Sequence, residues 1–166
     1  MKKLLLIVLA CLPFSAYSAD YIGVTAAMSG EVKRTASTIG APIGALKSGS
    51  KIFEGDKLNV SDDGRLQVML RDQTTFTLGS GAEMVIDQYV AGSNGKISAD
   101  INRGVFRFVS GLIAKNSADA LKVKLPHATI GVRGTQVAGE VANNGSSDIV
   151  LIGPGPNSFG ATPGAI

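Results

Sequence analysis

Apolar and polar residues alternate with a period of two along most of the chain, and this predicts strands rather than helices. In Arg65-Leu66-Gln67-Val68-Met69-Leu70-Arg71, the residues Leu66, Val68 and Leu70 share one face, and Arg65, Gln67 and Arg71 share the other. A turn at Asp72-Gln73 leads into Thr74-Thr75-Phe76-Thr77-Leu78, where Phe76 and Leu78 continue the buried face. Gly79-Ser80-Gly81 breaks the run and Glu83 to Val90 resumes it. Ala91-Gly92-Ser93-Asn94-Gly95 then turns into a strand with Ile97, Ala99 and Ile101 on one side, and Arg103-Gly104 precedes Val105-Phe106-Arg107-Phe108-Val109. Upstream, Tyr21 to Ala27, Glu31 to Thr35, Leu46 to Phe53 and Lys57 to Val60 follow the same grammar, with Asp62-Asp63-Gly64 expected to close a hairpin.

Short strands recurring about every 8–12 residues between Gly, Asp and Asn predict an all-β fold, a single domain of short antiparallel strands in a sandwich or roll. Helical periodicity nowhere lasts three turns; Gly111 to Leu121 suits one turn or a loop. Ser37 to Lys47 reads as a surface loop. Pro154, Pro156 and Pro163 bar the C-terminal stretch from a central strand, because proline lacks the ladder's donor. The expected organisation is therefore a leader at 1–18, N-terminal strands and a loop at 19–44, a β-domain at 45–141, and a Gly/Pro-rich segment at 142–166 that is flexible or truncated.

The leader changes the charge and the compartment. Met1-Lys2-Lys3 precedes an apolar run from Leu4 to Leu12, and Ala16-Tyr17-Ser18 supplies small residues for cleavage after Ser18. Spanning a bilayer takes about 20 apolar residues, and Pro13 and Ser15 interrupt this run too early. The mature chain is therefore expected to be periplasmic or secreted, with no transmembrane segment. Val8-Leu9-Ala10-Cys11 faintly resembles a lipoprotein box, but few residues precede it, so Cys11 is expected to leave with the leader, and disulfide and thiolate chemistry with it. Losing Lys2 and Lys3 leaves 14 basic against 13 acidic residues, scattered singly, which is no nucleic-acid footprint.

Candidate chemistry is sparse. His127 is the lone histidine, no Gly-x-Ser-x-Gly elbow occurs, and Gly79-Ser80-Gly81 sits in an apparent hairpin. One histidine anchors no standard zinc site. Asn59-Val60-Ser61-Asp62-Asp63-Gly64 imitates the start of a calcium loop, but Leu70 stands where a bidentate glutamate is needed. Glu83 and Asp87 could share a face, where solvated carboxylates are the default. No catalytic constellation, metal or cofactor is predicted.

One motif remains, "ATIGVRGT" at residues 128–135. Alternation puts Ile130 and Val132 on one face, in the core with Phe106 and Phe108. Gly131, Arg133 and Thr135 fall on the other face unless a bulge intervenes. Small neighbours leave room for the Arg133 guanidinium to lie flat and bond several carbonyls or a carboxylate at once. Gly131, Arg133, Gly134 and Thr135 are thus expected to fix the sheet closure, with a ligand carboxylate as the competing use of Arg133. On that expectation Arg133→Ala costs more stability than loss of an exposed arginine such as Arg34.

With these residues laid out, the chain resembles the FecR domain family. "LKSGSKIFEGDKLNVSDDGRLQVMLRDQTTFTLGSGAEMVID", "INRGVFRFVSGLIAK" and "VKLPHATIGVRGT" carry the resemblance, over about residues 45 to 141. Gln73 stands where the family commonly has glycine, implying a different turn type, and Leu125 replaces the usual threonine before Pro126. The resemblance implies a mostly-β extracytoplasmic domain. In the namesake protein it takes a signal from an outer-membrane receptor to a cytoplasmic sigma factor. This chain shows no cytoplasmic segment or span for that role and looks like a free-standing version. The function expected is a non-enzymatic module that binds a protein or cell-envelope component, by strand addition or sheet-face docking. Recognition of a glycan or peptidoglycan fragment is the alternative, and Tyr89 is its test residue.

Overall fold

The computed structural model describes residues 20–36, 44–117 and 119–152. The expected leader, residues 37–43 of the expected surface loop and the 153–166 stretch lie outside the described residues. Thirteen strands follow one another: β1 Gly23–Ser29, β2 Val32–Thr35, β3 Gly44–Ala45, β4 Lys51–Ile52, β5 Lys57–Val60, β6 Arg65–Leu70, β7 Thr75–Leu78, β8 Glu83–Val90, β9 Lys96–Val109, β10 Leu121–Lys124, β11 Thr129–Gly131, β12 Gln136–Val141 and β13 Ser147–Ile152. A single 3₁₀ turn at Ile113–Lys115 is the only helical element among the described residues. The all-β expectation holds, and the sheet curls as a half-barrel.

The path β3-β2-β5-β8-β9-β7-β6-β1-β4 is one continuous sheet. Its hinge is β9, 14 residues long, whose first half pairs with β8 and whose second half pairs with β7. The other side of β9 takes β10 along its first half, in the one parallel pairing among the described residues, and β12 along its second. Gly104 makes the bend between the halves. Its φ is +89°, and a Cβ there would lie 2.4 Å from the Ala82 Cα, so no other residue fits without a shift. Gly79 to Ala82 interrupts the strand on β9's flank at the same level, as the sequence predicts.

The Asp62-Asp63-Gly64 turn is not a hairpin, contrary to expectation. β5 pairs with β2 and β8, whereas β6 pairs with β1 and β7, so the turn carries the chain from one half of the sheet to the other. Leu58 and Val60 and then Leu66, Val68 and Leu70 bury on the same core from opposite sides, and alternation reports the burial without reporting the pairing.

The core is continuous. Phe76, Phe106 and Phe108 are at most 1% exposed, with Phe106 and Phe108 stacked at 6.5 Å and Phe76 tilted against Phe108 at 5.7 Å. Ile130 and Val132 are buried as expected. Arg34 is the exception to the pattern: expected on the surface, it is 6% exposed. It has the parity of Val32 and lies across from Leu58 on the core face of β2. Its Nη1 donates to the Lys51 carbonyl at 2.8 Å and lies 3.7 Å from the Asp56 carboxylate, which is fully buried and accepts the Phe53 N–H at 2.9 Å. Burial pushes the Asp56 carboxyl up, against the lowering pull of the Phe53 bond and of Arg34. The arginine that closes this fold from inside is therefore Arg34.

Candidate functional site

Leu125 and Ala128 bond each other's backbone across Pro126-His127, and the chain returns as β11 beside β10. Gly131 ends β11 opposite Lys122, and Val132 drops fully into the core, its N–H on the Leu121 carbonyl. The chain then crosses to β12. Gly134, at φ +64°, turns it there, and nothing lies within 4 Å of where its Cβ would be. That irregularity shifts the parity, so Thr135 is buried at 6% rather than sharing the face of Arg133. Ser110 clamps Thr135: its hydroxyl donates to the Thr135 carbonyl at 3.0 Å and accepts the Thr135 N–H at 2.9 Å.

Arg133 is exposed, and no described residue hydrogen-bonds or ion-pairs with its guanidinium. The expected stapling by Arg133 is therefore corrected. Gly134 and Thr135 do serve the closure, through the turn and the Ser110 clamp, and the side chain inserted there is Val132. The structure puts Gly131, Arg133, Gly134 and Thr135 on one crossover, with no ion pair to Arg133 among the described residues. Sequence reasoning missed Ser110, whose signal is only its place at the end of a strand.

The other carboxylate candidates are satisfied separately. Glu83 meets the Lys57 ammonium at 2.8 Å and accepts the Asn102 amide at 2.9 Å; Asp87 accepts Lys124 at 2.7 Å, and Lys124 also lies 3.4 Å from Asp100. Burial pushes both the Glu83 and the Asp87 carboxyl up. Lys57 and Asn102 at the first, and Lys124 and Ser98 at the second, outweigh it and hold both below the ordinary value. These are ion pairs on two different lysines, not an acid–base pair. Asp87, Ser98, Lys122 and Lys124 line a shallow groove of about 400 Å³. His127 is exposed and packs against Gly145. The tyrosines are engaged too. Lys51 and Arg71 lie over the Tyr21 ring at 5.1 and 5.5 Å, and Tyr89 packs against the core. No group of three metal-ligating side chains occurs among the described residues.

The most unusual surface is β13. Residues 142–152, placed by the sequence with the C-terminal segment, form a tight turn and a strand. Gly145 N–H bonds the Ala142 carbonyl at 2.9 Å with Gly145 at φ +86°, a type I turn with a left-handed fourth residue, and Ala142 N–H bonds Ser146 at 2.9 Å. Among the described strands β13 pairs only with β12. It exposes Ile149 at 37%, Val150 at 62% and Leu151 at 37%. The other edge strands, β3, β4 and β11, are two or three residues long. Short edges blunt unwanted pairing; a six-residue apolar one invites it. Because Ala142 and Ser146 form a hydrogen-bonded pair, Asp148, Val150 and Ile152 bond inward to β12, and Ser147, Ile149 and Leu151 aim N–H and C=O outward.

The sequence profile of the FecR protein family matches residues 56–152, from the buried Asp56 through the last residue of β13. No curated protein and no solved structure matches the chain.

Proposed function

The chain belongs to the FecR protein family, and we propose that it works as an exported, non-enzymatic regulatory module that binds a protein or cell-envelope component in the periplasm. One observation carries this: β13 offers a six-residue edge with outward backbone donors and acceptors and three exposed apolar side chains. Strand addition uses such an edge, with main-chain bonds giving affinity and alternate side chains giving specificity. Export rests on the leader pattern. It is compatible with the finding that no helix among the described residues is long and apolar enough to cross a membrane. Glycan recognition is less well supported, because Tyr21 and Tyr89 are already engaged rather than presented as stacking platforms.

The test is capture of envelope components on the immobilised mature domain. A protein retained saturably, and competed by free domain, supports the proposal. A polysaccharide retained instead, and lost in Tyr89→Ala, replaces it with glycan binding. Absence of any saturable ligand overturns both.

A further inference from the structure

The neighbourhood of β13 says more about what occupies it. On the core side, Leu151 lies across from the fully buried Val137 and Ile149 lies across from Gly139, so these two half-covered side chains extend the core to the edge. On the outer side, Asp148 lies directly across from Glu140. Both are exposed, and neither is ion-paired among the described residues. Arg107, a nearby cation on that face, donates to Gln136 at 2.7 Å. Like charges directly opposed across strands are destabilising, so the edge ends in an acidic step that no ion pair among the described residues relieves.

Resting on the function proposed above, we propose that the β13 edge receives an extended, proline-free segment of another protein that carries a lysine or arginine in register with Asp148 and apolar residues opposite Ile149 and Leu151. Antiparallel or parallel, an added strand places one residue beside Asp148 on the outer face, where a cation pairs with Asp148 and relieves its repulsion with Glu140.

Two other occupants fit less well. A second copy pairing through a two-fold axis uses all three outward residues only when centred on Ile149, which sets Ser147 against Leu151 and Asp148 against Val150. The two Asp148 side chains are then diagonal neighbours, about 7–8 Å apart, and with both Glu140 residues make a row of four acids. The chain's own residues 153–166 begin Gly-Pro-Gly-Pro, which lacks donors where the ladder needs them, and contain no lysine or arginine.

The probe is a short capped peptide of alternating valine and threonine with a central lysine, compared with its glutamate twin by fluorescence anisotropy. The lysine peptide binds, and the glutamate twin binds about three- to tenfold more weakly. Asp148→Asn weakens the preference, and Asp148→Lys combined with Glu140→Gln reverses it. Ile149→Pro abolishes binding. Its N–H points away from β12, so the fold survives, with a cooperative melt as the check. Binding without charge preference, binding that survives Ile149→Pro in a folded protein, or no binding at all overturns the proposal. So does a wild-type dimer by sedimentation that Ile149→Pro dissociates, which would make the second copy the occupant. If Ile149→Pro still captures the envelope ligand, the edge assignment fails while the broader function stands.

Discussion

Arg34→Ala, set beside Arg133→Ala, tests the assignment of the two arginines. Removing Arg34 takes the counter-charge from a carboxylate with no exposed surface and a donor from the Lys51 carbonyl. Breaking a buried pair from one side costs about 3–5 kcal/mol, because the remaining charge stays buried without compensation. At a urea slope of about 2 kcal/mol/M this lowers the midpoint by about 1.5–2.5 M. At about 3 °C per kcal/mol it lowers Tm by about 9–15 °C. Arg133 is exposed and without a partner among the described residues, so Arg133→Ala stays within about 0.5 kcal/mol. The Arg34 deficit also has a sign in pH. Burial already raises the Asp56 carboxyl, and without Arg34 it rises further, so a proton relieves the orphaned charge and the deficit shrinks from pH 8 to pH 5. Arg34→Met with Asp56→Leu recovers most of the loss, short of about 1 kcal/mol for the Phe53 N–H left without its acceptor. Urea titrations followed by circular dichroism at both pH values read all of this. Equal midpoints for Arg34→Ala and Arg133→Ala would refute the assignment of Arg34 as the internal closure.

Three further outcomes are expected. Gln73 holds φ +73°, the only non-glycine residue with positive φ among those described. Gln73→Gly removes a left-handed cost of about 1–2 kcal/mol against an entropic penalty of about 0.5–1, and so raises Tm by a few degrees in calorimetry. Gly104→Ala combines that left-handed cost with a clash against the Ala82 backbone and costs about 3 kcal/mol or more, whereas Gly134→Ala meets open space and costs about 1–2; urea midpoints separate them. The folded Glu83 and Asp87 carboxyls titrate below their ordinary values, so the stability they contribute is present above pH of about 4 and is lost as pH falls through the lowered values. Asp87→Asn should therefore flatten the acid arm of a stability–pH curve, while Asp56, raised, contributes in the opposite sense, losing stability as pH rises through its value.

Burial was legible in the sequence because its signal is local. Leu66, Val68, Leu70, Phe76, Leu78, Ile97, Ala99 and Ile101 follow the two-residue rule and all are buried. Pairing was not legible, because it is set by partners distant in sequence. Nothing within Lys57 to Leu70 distinguishes a hairpin from a crossing between sheet halves. Arg34 defeated the rule because a charged residue on the apolar parity reads as a surface position until Asp56, 22 positions along, supplies the buried carboxylate. The Gln73 turn defeated a subtler inference. Replacing a glycine suggested a different turn, yet Gln73 takes the left-handed conformation glycine would take, with Asp72 accepting the Thr74 N–H at 3.0 Å and the Thr74 hydroxyl at 2.7 Å to hold it there.

The same reasoning explains why the sequence assigned the closure to Arg133. A guanidinium between two glycines looks special, and attention fell on Arg133 because glycine and arginine are conspicuous. The closure is made instead by Val132, which alternation already places in the core, and by the Ser110 hydroxyl bridging the Thr135 backbone. Freed from that duty, Arg133 stands exposed on the crossover between β11 and β12. The run proposed for recognition, Ser-Asp-Ile-Val-Leu-Ile, reads in sequence as an ordinary strand before a proline-rich end. Only topology turns it into an edge, and only its register against β12 shows that Ser147, Ile149 and Leu151, rather than Asp148 and Val150, hold the outward backbone groups. Proline at 149 and proline at 150 should therefore behave oppositely. The first removes a free donor and leaves the domain's melt cooperative, whereas the second breaks the β12 ladder and lowers stability by about 3 kcal/mol or more. Equal melts for the two variants would show that the register assigned to this edge is wrong.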